Sequence, residues 1–176
     1  SAASDVYKRQ VDIVTAGWYD NVNSIINDQN ITYRGIQVYD KVANNRCAAD
    51  YPFLSIERIN TKSVNTGGRL KRMIRFLKNI KADSKQKIDL SSFDINAICY
   101  NIDIDAYKDL HYLYLVTIVF LQLHKIAYDE SYANSITSVD GKEYIFRGNN
   151  KRREVATMLQ NVSTIYSILK EQHLII

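Results

Sequence analysis

The stretch RLKRMIRFLKNIKAD, opening at Arg69, constrains this chain more than any other. Leu70, Met73, Leu77 and Ile80 recur at i, i+3, i+7 and i+10, and Ile74 widens the row. The spacing predicts a helix over residues 69–82 with one apolar face that other elements must cover. The remaining positions carry Arg69, Lys71, Arg72, Arg75, Lys78 and Lys81. Lys71, Arg75 and Lys78 fall at i, i+4 and i+7, so they stack along one stripe, with Arg72 at its border. A guanidinium offers a planar fork and an ammonium a point charge, which together suit a run of phosphates. On residue types alone the same stripe also fits an ordinary solvated helix face.

The next segment, DLSSFDINAICYNI, begins a second helix. Ser91 or Ser92 supplies the N-cap, and Asp94 puts a carboxylate in the first turn. Such a terminus offers N–H groups to an anion, and Phe93 beside it offers a ring face to a base. The plain alternative is a serine cap followed by a core phenylalanine. Near the start, VDIV (Val11 to Val14) reads as a short strand carrying Asp12. That carboxylate is either a paired or edge-exposed group or an oxygen ligand for Mg²⁺.

The other elements are read more coarsely. AGWYDN is expected to be a loop, Tyr19 to Asn27 a weak helix, and Tyr33 to Asp40 a strand. Pro52 opens a short helix reaching about Asn60. A long helix is expected from Ile104 or Asp105 to Ala127, and a last one from Lys151 to Gln172. SITSVDGKEYIF reads as a hairpin turning at Asp140-Gly141. Strands come first and helices after, which predicts an α+β fold with segregated layers.

The 176 residues suffice for a proper core. The longest apolar run, Leu113 to Leu123, is interrupted by Tyr114, Thr117 and Gln122 and reads as a buried helix, so no membrane partner is expected. Cys47 and Cys99 lack any CxxC or histidine spacing and are read as reduced thiols of a cytoplasmic protein. His111 and His124 have no second ligand at metal spacing and are assigned to core or surface. Asp103, Asp105 and Asp109 read as helix-dipole partners and surface charge. Tyr112, Tyr114 and Tyr128 are expected to fill the core with their hydroxyls at its rim. RGNNKRRE, from Arg147, is expected to be an exposed basic turn at a helix start.

Taken in order, these motifs resemble the second half of a nucleotidyltransferase of the DNA polymerase β superfamily. The likeness is to the group holding 2′-5′ oligoadenylate synthetase, cyclic GMP-AMP synthase and their bacterial relatives. MIRFLK resembles the helix lying beside the donor triphosphate, and SSF resembles the turn that opens the following helix. The resemblance implies triphosphate contacts from Arg75, Lys78, Ser92 and Lys71, and a base stacked on Phe93. VDI resembles the strand of the third catalytic acid, which makes Asp12 a catalytic residue and a Mg²⁺ ligand. The implied partner is a nucleoside triphosphate, ATP or GTP. The implied reaction joins a nucleotidyl group to a hydroxyl and releases pyrophosphate, in a linear or cyclic oligonucleotide synthase of antiviral signalling. Two other readings remain open here. One is a transferase tailing RNA or modifying a small molecule. The other is a non-catalytic helical module that binds nucleic acid through Lys71, Arg72, Arg75 and Lys78.

The family's Gly-Ser turn and paired-acid strand have no counterpart in this sequence. Back-translated as TCGGCAGCGTCAGATGTGTATAAGAGACAG, the opening SAASDVYKRQ resembles a transposon adapter of sequencing libraries. Residues 1–10 are therefore expected to be an artefact, with Ser1 to Asp5 disordered. Residues 11–50 are expected to be the remnant of a catalytic palm, and residues 51–176 its helical C-terminal domain. Taken alone, the chain is expected to show no turnover.

Overall fold

The computed structural model describes residues 16–26 and 30–175. The expected strand at Val11–Val14, with Asp12, and the segment Ser1–Gln10 lie outside the described residues. The chain forms two compact units, Ser1–Leu54 and Ser55–Ile176.

The first unit is built on a small antiparallel sheet. Strand β1 (Ala16–Tyr19) is followed by the short helix α1 (Val22–Ile26), a 3-10 turn (Ile31–Tyr33), strand β2 (Gly35–Asp40) and strand β3 (Asn45–Arg46). The strand order is β1-β2-β3, with Trp18 opposite Ile36 and Tyr39 opposite Arg46. The expected AGWYDN loop is thus partly a strand. All four residues of β1 are exposed, so no apolar alternation marks it; pairing with β2 defines it. The expected strand start at Tyr33 moves to Gly35, because Asn30 caps a 3-10 turn through Ile31–Tyr33 by accepting the Thr32 N–H at 3.0 Å. Between β2 and β3 the Asp40 carboxylate accepts N–H bonds from Val42 and Ala43 at 2.8 and 3.0 Å, which closes the turn. Gly35 is required by close approach: a Cβ there would lie 3.2 Å from the Tyr51 ring.

The second unit is helical. Helix α2 (Pro52–Asn65) leads through Gly67 and Gly68, both at positive φ, into α3 (Arg69–Asp83). Then come α4 (Ser92–Tyr100), 3-10 turns at Ile104–Ala106 and Tyr112–Tyr114, α5 (Leu115–Tyr128), α6 (Glu130–Ser135) and α7 (Lys151–Glu171). The apolar face read from the sequence of α3 is buried: Leu70, Met73, Ile74 and Leu77 join Ile95 and Ile98 of α4, Val119 and Leu123 of α5, and Val155, Met158 and Val162 of α7 in one core.

Four expectations change here. The helix from Pro52 runs on to Asn65. The single long helix from Ile104 is broken before Leu115, because local caps compete with helical pairing. The Asp103 carboxylate accepts the Asp105 N–H at 3.1 Å, and the fully buried Tyr107 draws the chain inward. Of the three tyrosines assigned to the core, Tyr112 and Tyr128 are exposed and Tyr114 is half-buried; Tyr107 fills the core instead. The expected hairpin is reduced to one antiparallel bridge, Thr137 to Tyr144, with Gly141 at positive φ in its turn.

Candidate functional site

Helix α3 fixes the basic stripe because its opposite face is locked in the core. Lys71 and Arg75 are exposed and Lys78 is half-buried. None of the three has a carboxylate partner among the described residues. Lys78 lies toward α4, where its ammonium favours the thiolate of Cys99. Burial dominates there and pushes that thiol up to about 12. Lys81 reaches across the connection and donates to the Leu90 carbonyl at 2.6 Å, tying the end of α3 to the segment before α4.

Helix α4 starts with a complete capping box. Ser91 Oγ accepts the Asp94 N–H at 3.1 Å, and Asp94 Oδ2 accepts the Ser91 N–H at 2.8 Å. Ser92, the first residue of the helix, is exposed, and its hydroxyl has no hydrogen-bond partner among the described residues. Phe93 packs partly against the core. The candidate residues of α3 and α4 thus lie on two helices packed against each other. Arg75 also lines a cleft between α3 and the start of α5, which Lys78, Ser92 and Phe93 do not line.

Reasoning from sequence missed one member of this region. Asp94 is buried and its Oδ1 accepts from Lys151 Nζ at 2.7 Å. Lys151 belongs to the RGNNKRRE segment expected to be exposed capping surface. The serine-to-aspartate spacing signals the cap, but nothing in the sequence signals a partner on α7. At the other end of α4, Lys62 of α2 donates to the Tyr100 and Ile102 carbonyls at 2.6 and 2.7 Å. Burial holds its ammonium below the usual lysine range, while Asp103 acts in the opposite direction.

Cys47 is exposed, Cys99 is buried, and both are free. His124 sits between Phe120 and Tyr128 at centroid distances of 6.1 and 4.6 Å. Among the described residues no group of three His, Cys, Asp or Glu side chains could hold a metal ion, and Asp12 lies outside them. No helix of the described residues is long and apolar enough to cross a membrane.

Residues 57–167 match the family model described as the cGAS/DncV-like nucleotidyltransferase C-terminal helical domain. The chain is 54% identical over 164 residues to a c-di-GMP synthase of Capnocytophaga granulosa, covering 92% of this chain and 47% of that protein. The structure of that STING-associated CdnE c-di-GMP synthase superposes with a TM-score of 0.80 at 50% identity, over 90% of this chain and 51% of the other. A STING-associated CdnE c-di-GMP synthase from Flavobacteriaceae sp. gives a TM-score of 0.82 at 45% identity, over 90% of this chain and 46% of the other. The chain spans about half the length of the relatives it matches.

Proposed function

The chain belongs to the cGAS/DncV-like nucleotidyltransferases, whose C-terminal helical domain it carries, and from that premise we propose that it is the donor-binding half of a cyclic dinucleotide synthase. The reaction is nucleotidyl transfer from a nucleoside triphosphate to a hydroxyl with loss of pyrophosphate. GTP is the substrate and c-di-GMP the product. The observation that carries this reading is the 54% identity to a c-di-GMP synthase over 92% of the chain, a span that takes in both α3 and α4.

In this reading Lys78, Arg75 and Lys71 neutralise charge that builds on the β- and γ-phosphates, and the unpartnered Ser92 hydroxyl adds a phosphate contact at the α4 N-terminus. The part-exposed Phe93 ring supports the base. Asp12 is the third catalytic acid and one of the ligands of Mg²⁺. When bound, Mg²⁺ supplies Lewis-acid activation of the attacking and leaving oxygens. The remaining Mg²⁺ ligands are proposed to lie in the part of the relatives that this chain does not span, because its sequence carries no paired-acid strand. The chain by itself is therefore proposed to be inactive, and residues 11–50 and 51–176 are its palm and helical segments. The cytoplasm is the proposed location, because it supplies the triphosphate.

A chimera tests this reading. Residues 16–172 replace their counterparts in the Capnocytophaga granulosa synthase, and pyrophosphate release and c-di-GMP are measured with GTP and Mg²⁺. The expected result is an active chimera in which Lys78→Ala loses about 100-fold in rate, in line with loss of one preorganised charge contact. A folded but inactive chimera, or an unaffected Lys78→Ala variant, would overturn the proposal.

A further inference from the structure

We propose that the cleft between α3 and the Tyr112–Leu115 corner is a second binding site, for a planar aromatic anion. Arg72, Arg75, Phe76 and Asn79 of α3 face Tyr112 and Leu115 across a space of about 520 Å³. That volume lies within the range of small-molecule sites. The floor is apolar, with Met73 and Leu115 buried beneath it. The rim is cationic and built around one ring. The Arg72 guanidinium carbon sits 3.8 Å from the Tyr112 centroid, and that of Arg69 sits 5.2 Å from it. Arg69 is fixed by donating to the carbonyls of Leu110 at 2.7 Å and Thr66 at 3.0 Å, so it holds the corner in place. Arg72 and Arg75 have no carboxylate partner, and the Asn79 amide has no hydrogen-bond partner, among the described residues.

A solvated basic helix face needs no apolar floor and no aromatic wall. A nucleic-acid backbone would use the charges and leave the floor unfilled. A ring bearing a phosphate or carboxylate uses both: the ring lies on Phe76 and Leu115 or stacks on the Tyr112–Arg72 pair, and the anion meets the Arg fork. Arg75 borders both this cleft and the triphosphate site proposed above, whereas Arg72 and Tyr112 line the cleft and take no part in that site.

Isothermal titration of the chain with GMP, guanosine and inorganic phosphate tests the site. GMP is expected to bind, and guanosine and phosphate to bind about tenfold more weakly or less. Arg72→Gln and Tyr112→Leu are each expected to weaken GMP about tenfold. Tyr112→Phe, which keeps the ring, is expected to stay within about twofold. The proposal is overturned if natively folded chain shows no GMP binding, or if phosphate alone binds as well as GMP. It is equally overturned if Lys78→Ala abolishes binding while Arg72→Gln spares it, which would place the ligand at the α3–α4 site. Salt-sensitive binding of a DNA duplex through Arg72, tighter than GMP, would replace it with a nucleic-acid surface.

Discussion

The two units of this chain solve the burial problem unequally. In the second unit, helices α3, α4, α5 and α7 each give an apolar stripe to one core, and Leu70, Leu77 and Leu123 are completely buried. In the first unit the described residues bury little: Tyr51 is the buried apolar side chain there, while Val22, Ile26 and Val42 are 69%, 74% and 98% exposed. Among the described residues the sheet also carries an ion pair, Arg34–Asp20, and a cation–π contact, Arg34–Trp18. The contrast teaches that removal of apolar area from water accounts for the order of the second unit, whereas among the described residues of the first the backbone pairing of β1 with β2 is the feature that defines the sheet.

The largest effect should come from the core of the second unit. Leu77→Ala removes a fully buried side chain from α3 and is expected to cost about 3 kcal/mol. Urea denaturation followed by helical circular dichroism measures it. A loss below about 1 kcal/mol would mean that the second unit is packed as loosely as the first, and the comparison would fail.

Next in size is Asp94→Ala. The buried carboxylate holds the Ser91 N–H, the Ser91 hydroxyl and the Lys151 ammonium together. Its removal is expected to cost about 2 kcal/mol, combining a lost cap with a broken ion pair. Lys151→Ala should cost less, because Lys151 is partly exposed while Asp94 keeps its capping bonds. Equal losses from both variants would show that the ion pair, and not the cap, fixes the start of α4.

How much of this was legible in the sequence follows from the same contrast. The α3 face could be read because periodic burial writes itself into residue order: Leu70, Met73 and Leu77 are where the spacing puts them. The Ser91 cap and Asp94 were legible because the capping box is local. The strand at Ala16–Tyr19 was not, since it buries no face and exists through backbone pairing with β2. The break before Leu115 was hidden as well. Leu110, Leu113 and Leu115 sustain an apolar pattern, while the Asp103 cap and the buried Tyr107 decide the path. Within the candidate site, charge type and spacing could be read, but the division of the stripe could not. Arg75 lines the α5 cleft and Lys78 turns to Cys99, a choice made by the neighbouring helices.

Cys99 offers a pH-dependent measure of burial in the second unit. Its folded thiol titrates at about 12 against an ordinary value of 9.0, because burial disfavours the thiolate. A raised pKa gives stability that is complete below 9.0 and is lost as pH climbs toward about 12. Within that window the chain should lose about 1.4 kcal/mol per pH unit more than Cys99→Ala does, measured by urea midpoints at pH 7 and at pH 10. Identical alkaline losses would mean that water reaches this part of the core. At neutral pH, a thiol-specific reagent should label exposed Cys47 at once and Cys99 only after unfolding.

The smallest effect belongs to the first unit and tests its half of the comparison. Arg34 forms a bidentate pair with Asp20 at 2.8 and 2.9 Å and lies 4.4 Å from the Trp18 centroid. Trp18 in turn meets the Phe53 ring at 5.8 Å. Arg34 thus joins the residue after β1 to the entry of β2. Arg34→Gln keeps some of the stem and removes the fork, at an expected cost of about 0.5–1 kcal/mol. That is too small to read reliably in a global transition, so the measurement is amide exchange at Gly35–Asp40. If local pairing holds the sheet, those amides should exchange about two- to fivefold faster in the variant, because opening free energy converts directly to exchange rate. Amides of α3 should not change. Acceleration in α3 to the same degree would show that the two units open together, and the apolar exposure of the first would then say nothing about separate stability.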